Sequence, residues 1–351
     1  MASKAQRLVP KLIDAVNRGD LAAARDLLDA GADPSGTGAH NSTPLGNAIL
    51  IPPDADTRDA LVALLLERGA EPNDRGPYKH DNRPIFHATY CGYDTVVRLL
   101  LAYGGFPRDD HDAPARNGDG MTLLALACNS GMRWLVDRAL TEGCRADDVD
   151  RHGSTALHYA VVVDDIPRRD GKDTASLVEL LLAHGAPLEH QRPGDWGTAM
   201  HWALQSGDAA AVRTLVARGA QLEARTDRTA KTPLQQGARS GNAAALAAAI
   251  ELGADTTVVT ADGETLLHLA AARMQHHEAA SAEVLRVLLA AGLDPAATDN
   301  AGNIPLATAV AAVTPRRGLR REPLVATQTE LLDVLYEVTP AALAAPIKRP
   351  R

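Results

Sequence analysis

The most constraining feature of this chain is a recurrence. A glycine followed by a small or apolar residue returns at Gly31, Gly69, Gly104, Gly143, Gly185, Gly219, Gly253 and Gly292, at intervals of 34 to 42 residues. A second marker keeps the same register: Thr43-Pro44-Leu45, Arg83-Pro84-Ile85, Thr122-Leu123-Leu124, Thr155-Ala156-Leu157-His158, Thr198-Ala199-Met200-His201, Thr232-Pro233-Leu234, Thr265-Leu266-Leu267-His268 and Ile304-Pro305-Leu306. Thr suits a helix start because its hydroxyl caps orphan amides, and Pro at the first helical position gives up no donor that is needed. Gly after a helix is a stop, since it adopts the left-handed conformation without penalty. Between the markers, runs such as Leu61 to Leu66 and Leu177 to Leu182 have too few polar positions for a lone surface helix. Each helix pair must therefore bury a face against the next.

The fullest copy runs from Gly197 through His201-Trp202-Ala203 and Ala211 to Gly219-Ala220. It resembles one complete ankyrin repeat: a turn, a first helix opened by a T-P-L-H-x-A-like hexad, a loop, and a second helix stopped at Gly-Ala. The resemblance implies an all-α, ankyrin-repeat solenoid of helix-turn-helix pairs with protruding turns. It divides the chain into an N-terminal capping helix pair at 1-33, an array of about eight repeats at 34-340, and a C-terminal tail at 341-351. Leu8, Leu12, Ile13 and Val16 are expected on the buried face of the first capping helix. Extra residues are expected between the helices of four repeats, at 51-59, at 164-173, around His276 and His277, and at 314-323, all on one edge of the array.

Composition narrows the function. Hydrophobic residues make up 45% of the 351, ample for a core, while aromatics are only 3%, so Ala and Leu pack the thin helical layers. A net charge of -8 weighs against a nucleic-acid or anionic-membrane binder, which needs a basic surface to displace counterions. The basic tracts at Arg168-Arg169, Arg316 to Arg321 and Lys348 to Arg351 are local and read as solvated loops and tail. Cys91, Cys128 and Cys144 lack CxxC spacing and read as reduced thiols. With no apolar core of a signal peptide near Met1 and no run of membrane-spanning length, a cytoplasmic protein is expected.

Few residues invite chemistry. His158, His201 and His268 share one hexad position, where the resemblance implies hydrogen bonds to neighbouring loops. Equivalent helices of adjacent repeats stand roughly 8 to 10 Å apart, too far for these histidines to share a metal ion. His87 and Cys91 lie four apart on one helical face and, with Asn129, form a formal thiol-nucleophile set. Nothing Gly-rich accompanies them to supply an oxyanion hole, so neither catalysis nor a cofactor nor a metal is expected. The Asp/His-containing stretch Asp109 to Gly120 has no ligand spacing and reads as a solvated loop.

The position after the hexad histidine points, by the resemblance, into the concave groove. Along the chain it reads Asn47, His87, Leu126, Tyr159, Trp202, Gln236, Leu269 and Thr308, and the next turn adds Tyr90, Asn129, Val162, Gln205 and Arg239. Trp and Tyr anchor interfaces because they bury much area at small entropic cost. Trp196 stands in a polar turn, with Arg151, His152, Asp195, Arg228 and Glu264 on neighbouring turns as a polar rim. The expected function is recognition of another protein by a monomeric scaffold or adaptor, through His87, Tyr90, Asn129, Arg151, His152, Tyr159, Asp195, Trp196, Trp202, Gln205, Arg228, Gln236 and Arg239. An inhibitor or immunity-type protein that blocks an enzyme with its acidic face, and an enzyme or small-ligand site in the groove, are the alternatives.

Overall fold

A computed structural model describes residues 4–50, 54–73, 83–109, 111–162, 173–272, 282–313 and 326–347. Residues 51–53, nearly all of the stretch 164-173, His276, His277 and 314-323 fall outside the described residues, as do the basic tracts named above. Among the described residues regular structure is helical, with isolated bridges such as Val149 to Thr155 and Arg192 to Gly197 bracing the turns. No helix among them is long and apolar enough to cross a membrane.

The described residues group into two compact units. The first comprises Met1–Tyr159 with Ile166–Asp173 and His184–Ala186, the second Ala160–Asp165 with Thr174–Ala183 and Pro187–Arg351. The first unit holds α1 (Lys4–Asn17), α2 (Leu21–Asp29), α3 (Pro44–Leu50), α4 (Ala55–Glu67), α5 (Pro84–Tyr90), α6 (Asp94–Gly104), α7 (Leu123–Ser130), α8 (Arg133–Thr141) and most of α9 (Ala156–Ala160). Helices α1, α3, α5 and α7 pack in sequence as one layer, and α2, α4 and α6 form the other. The buried stripe of α1 is Val9, Leu12, Ile13 and Val16, spaced i, i+3, i+4, i+7. Leu8 sits on its flank, partly exposed, so the expected face is rotated by one residue.

The second unit holds α10 (Thr174–Ala183), α11 (Ala199–Ser206), α12 (Ala209–Ala217), α13 (Pro233–Ser240), α14 (Ala243–Glu251), α15 (Leu266–Ala272), α16 (Ala282–Ala290), α17 (Pro305–Val313), α18 (Ala326–Val338) and α19 (Ala341–Ala344). The first helices of the repeats, α11, α13, α15 and α17, stack side by side; the second helices, α10, α12, α14, α16 and α18, stack behind them. Small residues set the spacing. At Gly237 of α13 a Cβ would already lie 3.3 Å from Leu204 and Leu246, so that layer has no room to thicken. Fully buried leucines such as Leu204, Leu215, Leu234, Leu246, Leu267 and Leu285 each contribute about 1.5 to 3 kcal/mol by leaving water. Beyond residue 340 the chain turns back as α19, and the Tyr336 hydroxyl donates to the Ile347 carbonyl at 3.2 Å.

Local chemistry explains the boundaries. The Thr122 hydroxyl accepts from the Ala125 amide, and Thr232 and Gln235 cap each other reciprocally at the start of α13. Helix α11 ends at Gly207 in the left-handed conformation, φ 90°. A Cβ there would also meet the Asn242 side chain at 2.7 Å, the amide that donates to the Gln205 carbonyl from the next repeat.

Candidate functional site

The hexad histidines are structural. His201 is fully buried; its Nδ1 accepts from the Thr198 amide at 3.1 Å, and its Nε2 lies 3.0 Å from the Lys231 carbonyl of the next turn, which accepts its proton. His268 repeats the arrangement on Thr265, at 3.2 Å, and on the Asn303 carbonyl, at 2.8 Å. Within the first unit, His158 Nδ1 accepts from the Thr155 amide. Each ring thus accepts the amide of the Thr that opens its helix, His201 as part of a capping box, and His201 and His268 also tie their repeat to the following turn. Burial pushes the His201 imidazole below its ordinary value, so it works as a neutral hydrogen-bonding group.

In the second unit the turn before α11 presents an aromatic cluster. Residues 192 to 197 form a tight loop in which the Arg192 amide donates to the Gly197 carbonyl at 2.9 Å, with Gly194 and Gly197 at positive φ. This places the Trp196 ring beside Trp202 of α11, centroids 6.1 Å apart and planes inclined at 55°. The Arg192 guanidinium covers both, 4.4 Å from the Trp196 centroid and 5.4 Å from that of Trp202. Trp202 is half-buried, whereas Trp196 remains 46% exposed.

A second network holds the loop still. The Asp195 carboxylate accepts from the Thr229 hydroxyl at 2.6 Å and lies 3.8 Å from Lys231 Nζ, both on the next turn. The Thr229 hydrogen bond, helped by Lys231, keeps the Asp195 carboxyl below its usual range. Along the groove side, Gln236 of α13 donates to Gln205 of α11 at 2.6 Å. Arg228 and Arg239 are exposed on the turn and on α13. Further along, Glu264, Asp299, Asn303, Thr308 and four alanines line a cavity of about 390 Å³. Of these, Glu264 was foreseen only as a rim residue, and Asp299 was missed because it stands one repeat away.

The first unit brings together less of what was expected. His87 Nε2 and Cys91 Sγ are 3.5 Å apart on α5, and burial lowers the His87 imidazole. Asn129 is 9% exposed, on a helix α7 whose residues are all buried. Tyr90 is 55% exposed. The Tyr159 hydroxyl donates to Asp150 at 2.5 Å, and the other Asp150 oxygen accepts the amides of His152 and Ser154, so this tyrosine braces its own turn. Arg151, exposed beside His152, is paired with Asp119 of the preceding turn. The Asp109 carboxylate is likewise used locally, accepting from the His111 and Ala113 amides. One cluster escaped the sequence reading: Trp134 of α8 donates to Asp94 while Arg98 of α6 stacks on its ring at 3.9 Å.

Two ankyrin family models match the chain. The family described as ankyrin repeats (3 copies) matches residues 169–260, and the single ankyrin repeat matches 262–300. Protein lin-12 of Caenorhabditis elegans is 29% identical over 155 residues, which are 41% of this chain and 10% of that protein. Ankyrin repeat domain-containing protein 63 of Mus musculus is 33% identical over 120 residues, 34% of this chain and 29% of that protein. The chain thus spans a minor part of the relatives it matches. The crystal structure of the ankyrin repeat domain of Bcl-3, a member of the IkappaB protein family, is 30% identical with a TM-score of 0.45, covering 64% of this chain and 91% of that one. The matched residues hold the helices α10 to α16, and the chain is an ankyrin repeat protein.

Proposed function

We propose that this chain is a scaffold or adaptor that recognises another protein through the concave groove and turn tips of its repeats, with no chemistry of its own. Ankyrin repeats generally mediate protein-protein interaction and typically carry no enzyme activity. The observation that carries the reading is Trp196: a large ring, 46% exposed, on a loop fixed at both ends and stacked under Arg192. An exposed Trp held rigid is an interface anchor, because a partner can bury it with little further loss of freedom. Trp202, Gln205, Gln236 and Arg239 on the adjoining helices extend the contact surface, and Asp195 and Arg228 form its rim. In the first unit, His87, Tyr90, Arg151, His152 and Tyr159 are the corresponding candidates. The protein is proposed to act in the cytoplasm as a monomer, without nucleic acid, membrane or cofactor.

The reading is tested by affinity capture from the native cytosol with the intact chain and with Trp196→Ala, followed by titration of the recovered partner. Loss of at least about tenfold in affinity, with thermal unfolding unchanged, is expected for a hot-spot ring. Full affinity in Trp196→Ala, or an unfolding shift without a binding change, would make the ring a packing element and overturn the reading. The alternative of an inhibitor acting through an acidic face is favoured by one observation, the carboxylate-lined cavity between α15 and α17.

A further inference from the structure

The groove side of the second unit changes character along its length. At the α11 end the Arg192 guanidinium covers the two tryptophans, and Lys231 of the next turn is paired with Asp195. At the α15 and α17 end stand Glu264 and Asp299, at the cavity of about 390 Å³ whose floor is Ala272, Ala307 and Ala311. The Glu264 carboxylate accepts from the Thr260 hydroxyl at 3.4 Å. Asp299 is held at the site by its own loop: one carboxylate oxygen accepts from the Ala301 and Asn303 backbone amides at 2.9 and 2.8 Å, and the other from the Asn303 side-chain amide at 3.1 Å. Among the described residues neither carboxylate has a lysine or arginine partner. Of the residues described from 240 to 313, Arg286 is the one such cation, and it is engaged on α16 and α18 by Glu283 and Glu330; Arg273 lies outside the described residues.

Two half-buried carboxylates above a floor of methyl groups suit one kind of visitor. A lysine or arginine lays its aliphatic stem on small apolar residues while its head reaches the charge. Between the ends, the paired amides of Gln205 and Gln236 offer donors and acceptors to an extended backbone.

We infer that the second unit binds an extended segment of a partner protein carrying a lysine or arginine, whose head lies at Glu264 and Asp299 while an apolar residue of the same segment packs on Trp196 and Trp202. This rests on the groove reading above. The spacing follows from the stack: with neighbouring first helices about 8 to 10 Å apart, the cavity between α15 and α17 is about 20 to 25 Å from Trp202. At about 3.3 Å per residue an extended chain covers that in about six to eight residues.

The test is selection of a random twelve-residue peptide display library on the full chain, repeated on Glu264→Gln/Asp299→Asn and on Trp196→Ala. The expected result is enrichment of peptides with a basic residue about six to eight positions from an apolar one. A selected peptide should bind the carboxamide variant at least about tenfold more weakly and lose most of its salt dependence. Glu264→Gln alone serves if the double variant fails to fold, with a smaller loss in the same direction. Peptides without basic enrichment, or indifferent to the carboxamide changes, would overturn the cationic-partner assignment while leaving groove recognition intact. Peptides that also ignore Trp196→Ala would sink the groove reading itself, and a library yielding no binder would overturn the extended-segment assignment.

Discussion

Replacing His201 with Ala tests the bond that ties one repeat to the next. The substitution removes the acceptor of the Thr198 amide and the donor to the Lys231 carbonyl, and empties the space of a fully buried ring. Losing the cap costs about 1 kcal/mol. Leaving the Lys231 carbonyl without its donor costs about 1 to 2 kcal/mol, and the cavity adds about 1 kcal/mol. The expected loss is thus about 3 to 4 kcal/mol, large for a single site. His201→Gln is the internal control, because Gln235 at the equivalent place one repeat later caps its own helix with Oε1, accepting from the Thr232 amide at 3.0 Å. The glutamine variant should recover the cap and lose about 1 to 2 kcal/mol. The assay is urea unfolding followed by tryptophan emission and by far-ultraviolet circular dichroism, since Trp196 and Trp202 report on the damaged repeat and ellipticity on the whole helical content. In a stack stabilised by neighbour contacts, the fluorescence midpoint should fall before the ellipticity midpoint. A loss under about 1 kcal/mol in His201→Ala, or no difference between the two variants, would refute the reasoning.

Two further outcomes follow from the same interior. Burial lowers the His201 and His87 imidazoles below the unfolded value of 6.5, so the unfolded chain binds more protons there as the medium is acidified. Their favourable neutral state is complete above pH 6.5, and stability is lost as pH falls from 6.5 toward their folded values; urea midpoints measured at pH 7.5 and 5.5 should differ less in His201→Gln than in the unchanged chain. Among the three thiols, Cys128 is fully buried and burial pushes Cys144 up to about 11, while Cys91 is partly exposed beside His87. Ellman's reagent at pH 8 should therefore titrate one thiol in the native protein and three in guanidinium; prompt reaction of more than one native thiol would show that the α7 layer opens readily.

What could be read from the residues, and what could not, divides along a physical line. Thr, Pro and Gly act on the backbone within a few residues of themselves, so helix starts at Thr122, Thr232 and Pro233 and stops at Gly219 and Gly253 were legible without a structure. The column of hexad histidines was legible for the same reason. Side-chain exposure depends on neighbours a whole repeat away, and there the reading failed in part. Asn129 has the spacing of a groove residue, yet it is only 9% exposed. Leu8 and Val9 are equally apolar, and only the packing of α1 chooses between them. The stacking of Arg98 on Trp134 and of Arg192 over two indoles joins side chains whose approach is set by packing and turn geometry, which no short pattern encodes.

The position of Trp196 makes more sense when its anchors are considered together. The ring already meets Trp202, centroids 6.1 Å apart, and still keeps 46% of its surface exposed. Here the loop is prevented from relaxing: Gly194 and Gly197 set its curvature, Arg192 occupies the adjoining ring faces, and Asp195 fastens it to Thr229 and Lys231 of the next turn. The same Lys231 gives its carbonyl to His201, so the residue that steadies the turn also receives the bond that joins the repeats. Exposure of the ring is therefore coupled to the integrity of the stack. A lesion at His201 should loosen Lys231, then Asp195, and only then the indole, so weaker recognition by such a variant would follow from loss of order rather than loss of contact. That sequence separates His201 from Trp196 experimentally, because only the first should disturb unfolding and binding together.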